Sequence, residues 1–310
     1  MLYAANRLML SLRLELWKSP RLVELIVGKF FDALKKAEKS QAADTLQSDP
    51  KKVVKISREQ MESLKLDTPP LEPSREGQQV FNGKLDPGLV CLREPNSPAA
   101  ECFKVLRSKL LVRESGQLVR TIMVTGVQPL DGKSLIAANL AVSIAQGINQ
   151  YVLLVDCDLR RPSLHTFFGL RPKHGLRNYL EEGESVAPFL LKTSVPKLTL
   201  LPAGRPLVSP SELLGSEKMK LLISELRDRY QDRFIIIDTP PAHFTAEASP
   251  LFSMMDGVLL VVRAGKTAVG PIKEVIAGLD REKILGVVFN ASKEVQKDYR
   301  YYYRYYQRGK

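Results

Sequence analysis

The sequence predicts a doubly wound α/β domain: a mainly parallel sheet with helices on both faces. Three observations carry this expectation. Short β-branched apolar runs recur from about residue 97 onward without polar alternation. Such runs belong to strands buried on both faces, which requires a parallel sheet covered by helices. Amphipathic segments of helical period separate them. The triplet Gly132-Lys133-Ser134 stands where the first of these strands gives way to a helix, as in a strand–phosphate loop–helix unit.

Taken in order, residues 1–40 read as a helical segment, with Leu22, Val23, Ile26, Phe30, Phe31 and Leu34 at helical spacing. Its opening, "MLYAANRLMLSLRLELW", places Arg7, Arg13 and Glu15 inside the apolar pattern. That suits an amphipathic helix better than a secretory leader. Residues 41–95 ("QAADTLQSDPKK", "LDTPPLEPSREGQQ") lack sustained periodicity and read as a flexible linker. The α/β domain then occupies residues 96–292. Its strands are expected at "RTIMVTG", "YVLLVD", "LTLLPAG", "RFIIID", "GVLLVVRA" and "ILGVVFN", and its helices at 133–146, 211–229 and 269–280. Residues 293–310 form a tail ending in "DYRYYYRYYQRGK".

Bulk composition narrows the function classes. No apolar run approaches the ~18 residues of a transmembrane helix. The three cysteines, Cys91, Cys102 and Cys157, have neither metal-ligand nor redox spacing, which fits a reduced compartment. A net charge of +12 suits an anionic partner, whether nucleotide, nucleic acid, membrane surface or acidic protein.

The loop "GVQPLDGKS" has the physics of a phosphate cradle. Backbone N–H groups and a helix N-terminus face the anion, Lys133 reaches the terminal phosphates and the Ser134 hydroxyl ligates Mg²⁺. The strict pattern misses by one place, because Val127 stands where the first glycine belongs and Gly126 lies one residue early. Two further strands end in carboxylates. "VLLVDCDLRRP" puts Asp156 and Asp158 at one strand tip, on the same side by the period of two. "FIIIDTPP" puts Asp238 at another, the place that holds Mg²⁺ in phosphate-loop enzymes, through water. Any single strand-end aspartate can simply cap the next helix. Three of them converging on a phosphate loop define a Mg-nucleotide site.

At Asp156, Asp158 and Arg160 a family becomes recognisable. The chain resembles the bacterial tyrosine autokinases (BY-kinases) of polysaccharide export, phosphate-loop proteins related to the MinD/ParA ATPases. The resemblance covers about residues 95–310. "GVQPLDGKS" is similar to their Walker A motif, "LLVDCDLRRP" to their second, A′ motif, and "FIIIDTPP" to their Walker B motif. "LPAGRPLVSPSELL" resembles a connecting segment, "ECFKVLRSKL" their oligomerisation helix, and the tail their tyrosine cluster. "FFDALKKAEKSQ" resembles an N-terminal helix of kinases encoded with exopolysaccharide machinery. The family-like segment begins near Val27, so residues 1–26 are either an upstream extension from a misassigned start or a membrane-surface helix. Three positions depart from the family pattern: Lys104 replaces an arginine, Ser209 an asparagine and Glu247 an aspartate. Lysine lacks the planar fork of arginine, so Glu101, Lys104 and Arg107 are expected to pair less rigidly.

The resemblance implies an ATP-dependent protein-tyrosine kinase acting on itself. Gly132, Lys133 and Ser134 would bind ATP, with Arg160 steadying the anionic site or forming a surface ion pair, and Asn290 contacting adenine. Ser134, Asp156 and Asp238 would organise Mg²⁺. Asp156, or else Asp158, would orient or deprotonate the acceptor hydroxyl, which has a pKa near ~10 when free. The acceptors would be Tyr299, Tyr301, Tyr302, Tyr303, Tyr305 and Tyr306 of a neighbouring subunit. Glu101, Lys104 and Arg107 would assemble a homo-oligomeric ring. Because the chain has no transmembrane run, a separate transmembrane activator of the chain-length-determinant kind is implied, with a cognate tyrosine phosphatase, a cytoplasmic place at the inner membrane face and no nucleic acid. The alternatives are a MinD/ParA-like positioning ATPase, whose usual extra lysine is missing from "GVQPLD", and a non-catalytic scaffold of the export complex. For the tail alone, a sticky aromatic-basic element for single-stranded nucleic acid is the rival.

Overall fold

In the computed structural model, residues 83–111, 119–183, 185–229, 233–243 and 248–292 are described. All of them fall in one compact unit, Pro70–Lys310. The N-terminal helical segment, most of the linker and the tyrosine tail lie outside the described residues.

The strands are β1 (Thr121–Gly126), β2 (Tyr151–Asp156), β3 (Leu191–Lys192), β4 (Leu198–Leu201), β5 (Arg233–Asp238), β6 (Gly257–Arg263) and β7 (Ile284–Asn290). The helices are α1 (Val90–Arg93), α2 (Pro98–Leu111), α3 (Lys133–Ala145), α4 (Leu164–Phe167), α5 (Leu176–Glu181), α6 (Ser211–Leu214), α7 (Glu217–Arg229), α8 (Ala248–Met254) and α9 (Val269–Ala277). The sheet order is β3-β4-β2-β5-β1-β6-β7. Every pairing is parallel except the short antiparallel β3–β4 edge. All six residues of β1 are buried, as the unalternating sequence requires.

The path of the chain creates the crevice. From β1 it runs to β2 and β4 on one side, returns to β5, then crosses to β6 and β7 on the other. That reversal beside β1 is a topological switch point, where such sheets bind ligands at their carboxyl ends. Register then places the carboxylates: Asp156 stands opposite Asp238 across β2–β5, and Val124 opposite Asp238 across β1–β5.

Helix α3 carries the phosphate loop at its start and is buried from Ile136 to Ala145. A helix apolar all round must be enclosed, and the segment that helps to enclose it corrects the sequence reading. Residues 83–95, which read as linker in the sequence, form a strap over α3. Leu89 and Cys91 are buried in the core. Asn139, itself fully buried, accepts the Cys91 N–H at 3.0 Å and donates Nδ2 to the Gly88 carbonyl at 2.8 Å. Gln146 Nε2 donates to the Cys91 carbonyl at 2.9 Å. The strap's only helix, α1, spans four residues, too short for a periodic signal. Asn139→Ala would leave a buried donor and acceptor unpaired, so it is expected to cost about 2–3 kcal/mol, read as a lower urea midpoint.

Other differences are local. The helix expected over 211–229 is two helices, broken at Gly215 and Ser216, and the Ser216 Oγ accepts the Met219 N–H at 3.2 Å. That bond satisfies one of the free amides at the start of α7. The helix expected over 269–280 ends at Ala277, with Gly278 as its C-cap.

Candidate active site

The phosphate loop is closed by a carboxylate. Asp131, 1% exposed, accepts the N–H groups of Val127 at 3.0 Å and Gln128 at 2.9 Å on its Oδ2. Buried Val127 takes the place of the first glycine, and the turn is stapled from its far end instead. Two loop residues are left-handed, Leu130 at φ 67° and Gly132 at φ 91°. For leucine this conformation costs on the order of 1–3 kcal/mol, so the surroundings must hold it. Gly132 is required on a second ground: a Cβ there would sit 2.0 Å from Asn290 Nδ2. No side chain caps α3, so its first turn offers amides and the positive dipole end to an anion.

Behind the loop, three buried carboxylates meet one lysine. Lys133 Nζ donates to Asp158 Oδ2 at 2.8 Å and lies 3.5 Å from Ser134 Oγ. Burial works against the charge on Lys133, but Asp238, Asp158 and Asp156 outweigh it and hold its pKa above that of an ordinary lysine. Asp156 and Asp238 stand at equivalent register positions but in opposite states. Asp156 Oδ1 accepts the Asp158 N–H at 3.2 Å, and its Oδ2 accepts those of Ser163 and Leu164 at 3.1 Å. Burial and the neighbouring Asp238 push its pKa well up, against the pull of those backbone donors. Asp238 is fully buried, and among the described residues neither of its oxygens accepts a hydrogen bond of good geometry. The chain after it explains this. The Thr239 N–H bonds to the Val124 carbonyl, and Pro240 and Pro241 have no N–H to give. Burial pushes the Asp238 carboxyl up to about 6, although the Lys133 charge and the nearby Ser134 hydroxyl and Thr239 N–H, which approach it without good hydrogen-bond geometry, pull it down. A buried carboxylate without donors is costly, and a hard cation at its oxygens would relieve that cost.

Gly132, Lys133, Ser134, Asp156, Asp158 and Asp238 therefore gather at one sheet edge. Arg160 lies exposed two residues beyond Asp158. Asn290, the residue expected near adenine, turns its amide onto the loop and donates to the Asp131 carbonyl at 2.8 Å. On α2, Glu101 and Lys104 pair within the helix at 3.1 Å. Arg107 Nη1 donates at 2.5 Å to the Ser143 carbonyl in the last turn of α3, where a cation meets the negative dipole end. Sequence reasoning missed Asp131 and Thr267. Asp131 carried a signal, an aspartate in a proline- and glycine-bearing turn, where such side chains bond nearby backbone. Thr267 carried none, because its partner is 136 positions away.

A phosphate loop followed by strand-end carboxylates on a doubly wound sheet defines a phosphate-loop nucleotide-binding protein. Comparison with known proteins agrees: residues 122–307 match the CobQ/CobB/MinD/ParA nucleotide binding domain. The tyrosine-protein kinase YwqD of Bacillus subtilis (strain 168) is 33% identical over 223 residues, covering 71% of this chain and 92% of YwqD. The tyrosine-protein kinase wzc of Salmonella typhimurium is 32% identical over 227 residues, which cover 71% of this chain but 31% of that longer protein. Among solved structures, the chimerical protein CapA2B2 is similar with a TM-score of 0.61 at 31% identity, covering 71% of this chain and 96% of that one. The kinase domain of the Escherichia coli tyrosine kinase ETK gives 0.59 at 27% identity, covering 66% and 82%. The chain belongs to the bacterial tyrosine-protein kinases of the MinD/ParA class.

Proposed function

We propose that this kinase uses Mg-ATP to phosphorylate the tyrosine cluster of a neighbouring copy's tail, and that it does so in exopolysaccharide or capsule synthesis. One observation carries the nucleotide half of this reading: the buried Asp238 carboxylate, which accepts no well-formed hydrogen bond among the described residues and carries a raised pKa beside the Lys133 ammonium. The Ser134 hydroxyl and Asp238 would hold Mg²⁺, with Asp156 adjacent in register. When bound, the ion neutralises charge on the transferring phosphates.

The chain's own residues do the rest. The first turn of α3 and Lys133 bind the phosphates. Lys133 is paired with Asp158, so phosphate drawing the ammonium towards itself frees that carboxylate. Asp158 then accepts the tyrosine hydroxyl proton as the phenol oxygen bonds to the γ-phosphorus and ADP leaves. The engaged oxygens of Asp156 favour giving it the ordering of residues 158–164, and Asp158 the proton. This reverses their sequence-based ranking as base.

The tail from Lys293 to Lys310 has six Lys/Arg and two Asp/Glu, formally +4. Each phosphotyrosine adds about −1.5 to −2, so about three make the tail neutral or negative. An unmodified tail docks near Mg-ATP and favours a ring, whereas a phosphorylated one is repelled by the carboxylates and nucleotide. A separate transmembrane activator would bring the chain to the inner membrane face, and a cognate phosphatase would reset the tail. Among the described residues no helix is long and apolar enough to cross a membrane.

Incubating pure protein with labelled ATP and Mg²⁺ and mapping the phosphate tests the reading. Label is expected across Tyr299, Tyr301, Tyr302, Tyr303, Tyr305 and Tyr306. Free phosphate alone would instead indicate a positioning ATPase, and neither product a scaffold. Replacing all six by Phe is expected to retain ATP binding, remove most label and keep the oligomer together. Light scattering before and after complete dephosphorylation is expected to show larger particles afterwards. Equal masses would mean that tail charge does not govern assembly.

A further inference from the structure

The β6–β7 edge reaches over the phosphate loop in a way that nucleotide chemistry alone does not explain. Thr267 Oγ1 accepts the Arg263 N–H at 2.8 Å, which directs its own proton to Asp131 Oδ1 at 2.7 Å. The other oxygen of the same carboxylate takes the Val127 and Gln128 N–H groups. Asn290 Oδ1 accepts the Ala291 N–H at 2.8 Å, which turns Nδ2 towards the Asp131 carbonyl. Arg263 Nη1 reaches the Leu130 carbonyl at 3.4 Å. Three residues, Arg263 of β6, Asn290 of β7 and Thr267 in the turn after β6, thus grip two consecutive loop residues. One of those, Leu130, is left-handed and 81% exposed, so packing does not hold it in that conformation.

We propose that Thr267 and Asn290, acting through Asp131, are positioning residues that hold the phosphate loop in its binding shape against the strain at Leu130. In phosphate loops of the strict pattern, glycine adopts the required dihedrals freely. Here the first-glycine place is valine and a leucine occupies a left-handed position, so the shape is imposed from outside. The hydroxyl of Thr267 bonds to the Arg263 N–H and Asp131 rather than to the loop backbone, so its loss reaches the ligand through Asp131. This inference rests on the nucleotide-binding reading above.

The test is calorimetric titration of the full chain with Mg-ATP and Mg-ADP, paired with thermal unfolding. Thr267→Val keeps the shape and removes the hydroxyl. It is expected to raise both dissociation constants about tenfold, the cost of one lost part-buried hydrogen bond to a carboxylate, with Tm within a few degrees of wild type. Thr267→Ser keeps the hydroxyl and is expected to bind as wild type does. Adding Leu130→Gly to Thr267→Val is expected to recover most of the lost affinity, because glycine needs no clamp to stay left-handed. A purely structural hydroxyl would give no such rescue. Two results overturn the inference: unchanged affinity in Thr267→Val, or weaker binding that tracks a fall in Tm and is not rescued by Leu130→Gly. Wild-type protein that binds neither nucleotide would overturn the underlying reading, and this inference with it.

Discussion

Replacing Lys133 with methionine is expected to lower tyrosine phosphorylation by at least about 10²–10³-fold, the scale seen when a preorganised charge is removed from a transferring group. The chain should still fold, because the side chain serves charge rather than packing. The structure adds a second consequence. The Lys133 ammonium is the cation that offsets Asp158 and Asp238. Without it, repulsion among the buried carboxylates rises at neutral pH and falls as Asp156 and Asp238, whose carboxyls burial pushes up, take up protons. Lys133→Met is therefore expected to lose stability relative to wild type at pH 7 and to recover much of it near pH 5. Thermal unfolding across that range checks the stability claim, and phosphate mapping with contaminating kinase excluded checks the activity. Unchanged autophosphorylation would remove the phosphate-site assignment.

Asp238→Asn is expected to have a comparable effect on activity, about 10²-fold or more, but the opposite effect on the metal-free fold. The sign follows from linkage. The folded carboxyl, near 6, lies above its ordinary value of 3.8. The folded state therefore holds a proton that the unfolded chain has released between those values, and stability falls as pH rises through that window. Metal-free wild type should thus become more stable between pH 7 and pH 5. Asp238→Asn, which has no charge to bury, should be the more stable of the two at pH 7 and show a flatter profile. Mg²⁺ needs the ionised form, so its affinity should weaken about tenfold per pH unit below the folded pKa. Unfolding scans with and without Mg-ADP between pH 5 and pH 8 test both statements. A wild-type profile that falls on acidification through this window would assign the pH response to other groups.

Much of this was legible in one dimension because the signals are local. β1, β2, β5, β6 and β7 announce themselves as apolar runs, since strands buried on both faces have no solvent side to mark with polar residues. The loop and the three aspartates were visible because a phosphate site needs those residue types where a strand stops. Less was legible where contacts are distant. The strap at 83–95 looks like linker because its order comes from Asn139 and Gln146, which lie far along the chain. Arg107 belongs to a resemblance with an oligomerisation helix, and its guanidinium is bonded to α3 of its own chain.

The sequence by itself determined the parallel sheet, the phosphate loop between β1 and α3, and the set of strand-end carboxylates. Each follows from burial on both faces of a strand or from a motif written in consecutive residues. Only the tertiary structure decided which partners each carboxylate has. Asp156 and Asp238 end similar strands and stand side by side in register. Asp156 is satisfied because residues 158–164 fold back and present their amides to it. Among the described residues Asp238 accepts no well-formed hydrogen bond, because the single amide after it is spent on Val124 and two prolines follow. The same holds for Asn290, whose side chain is claimed by the loop 159 positions earlier. Hydrogen-bond partners are assigned by proximity in space, and a linear pattern does not contain that proximity.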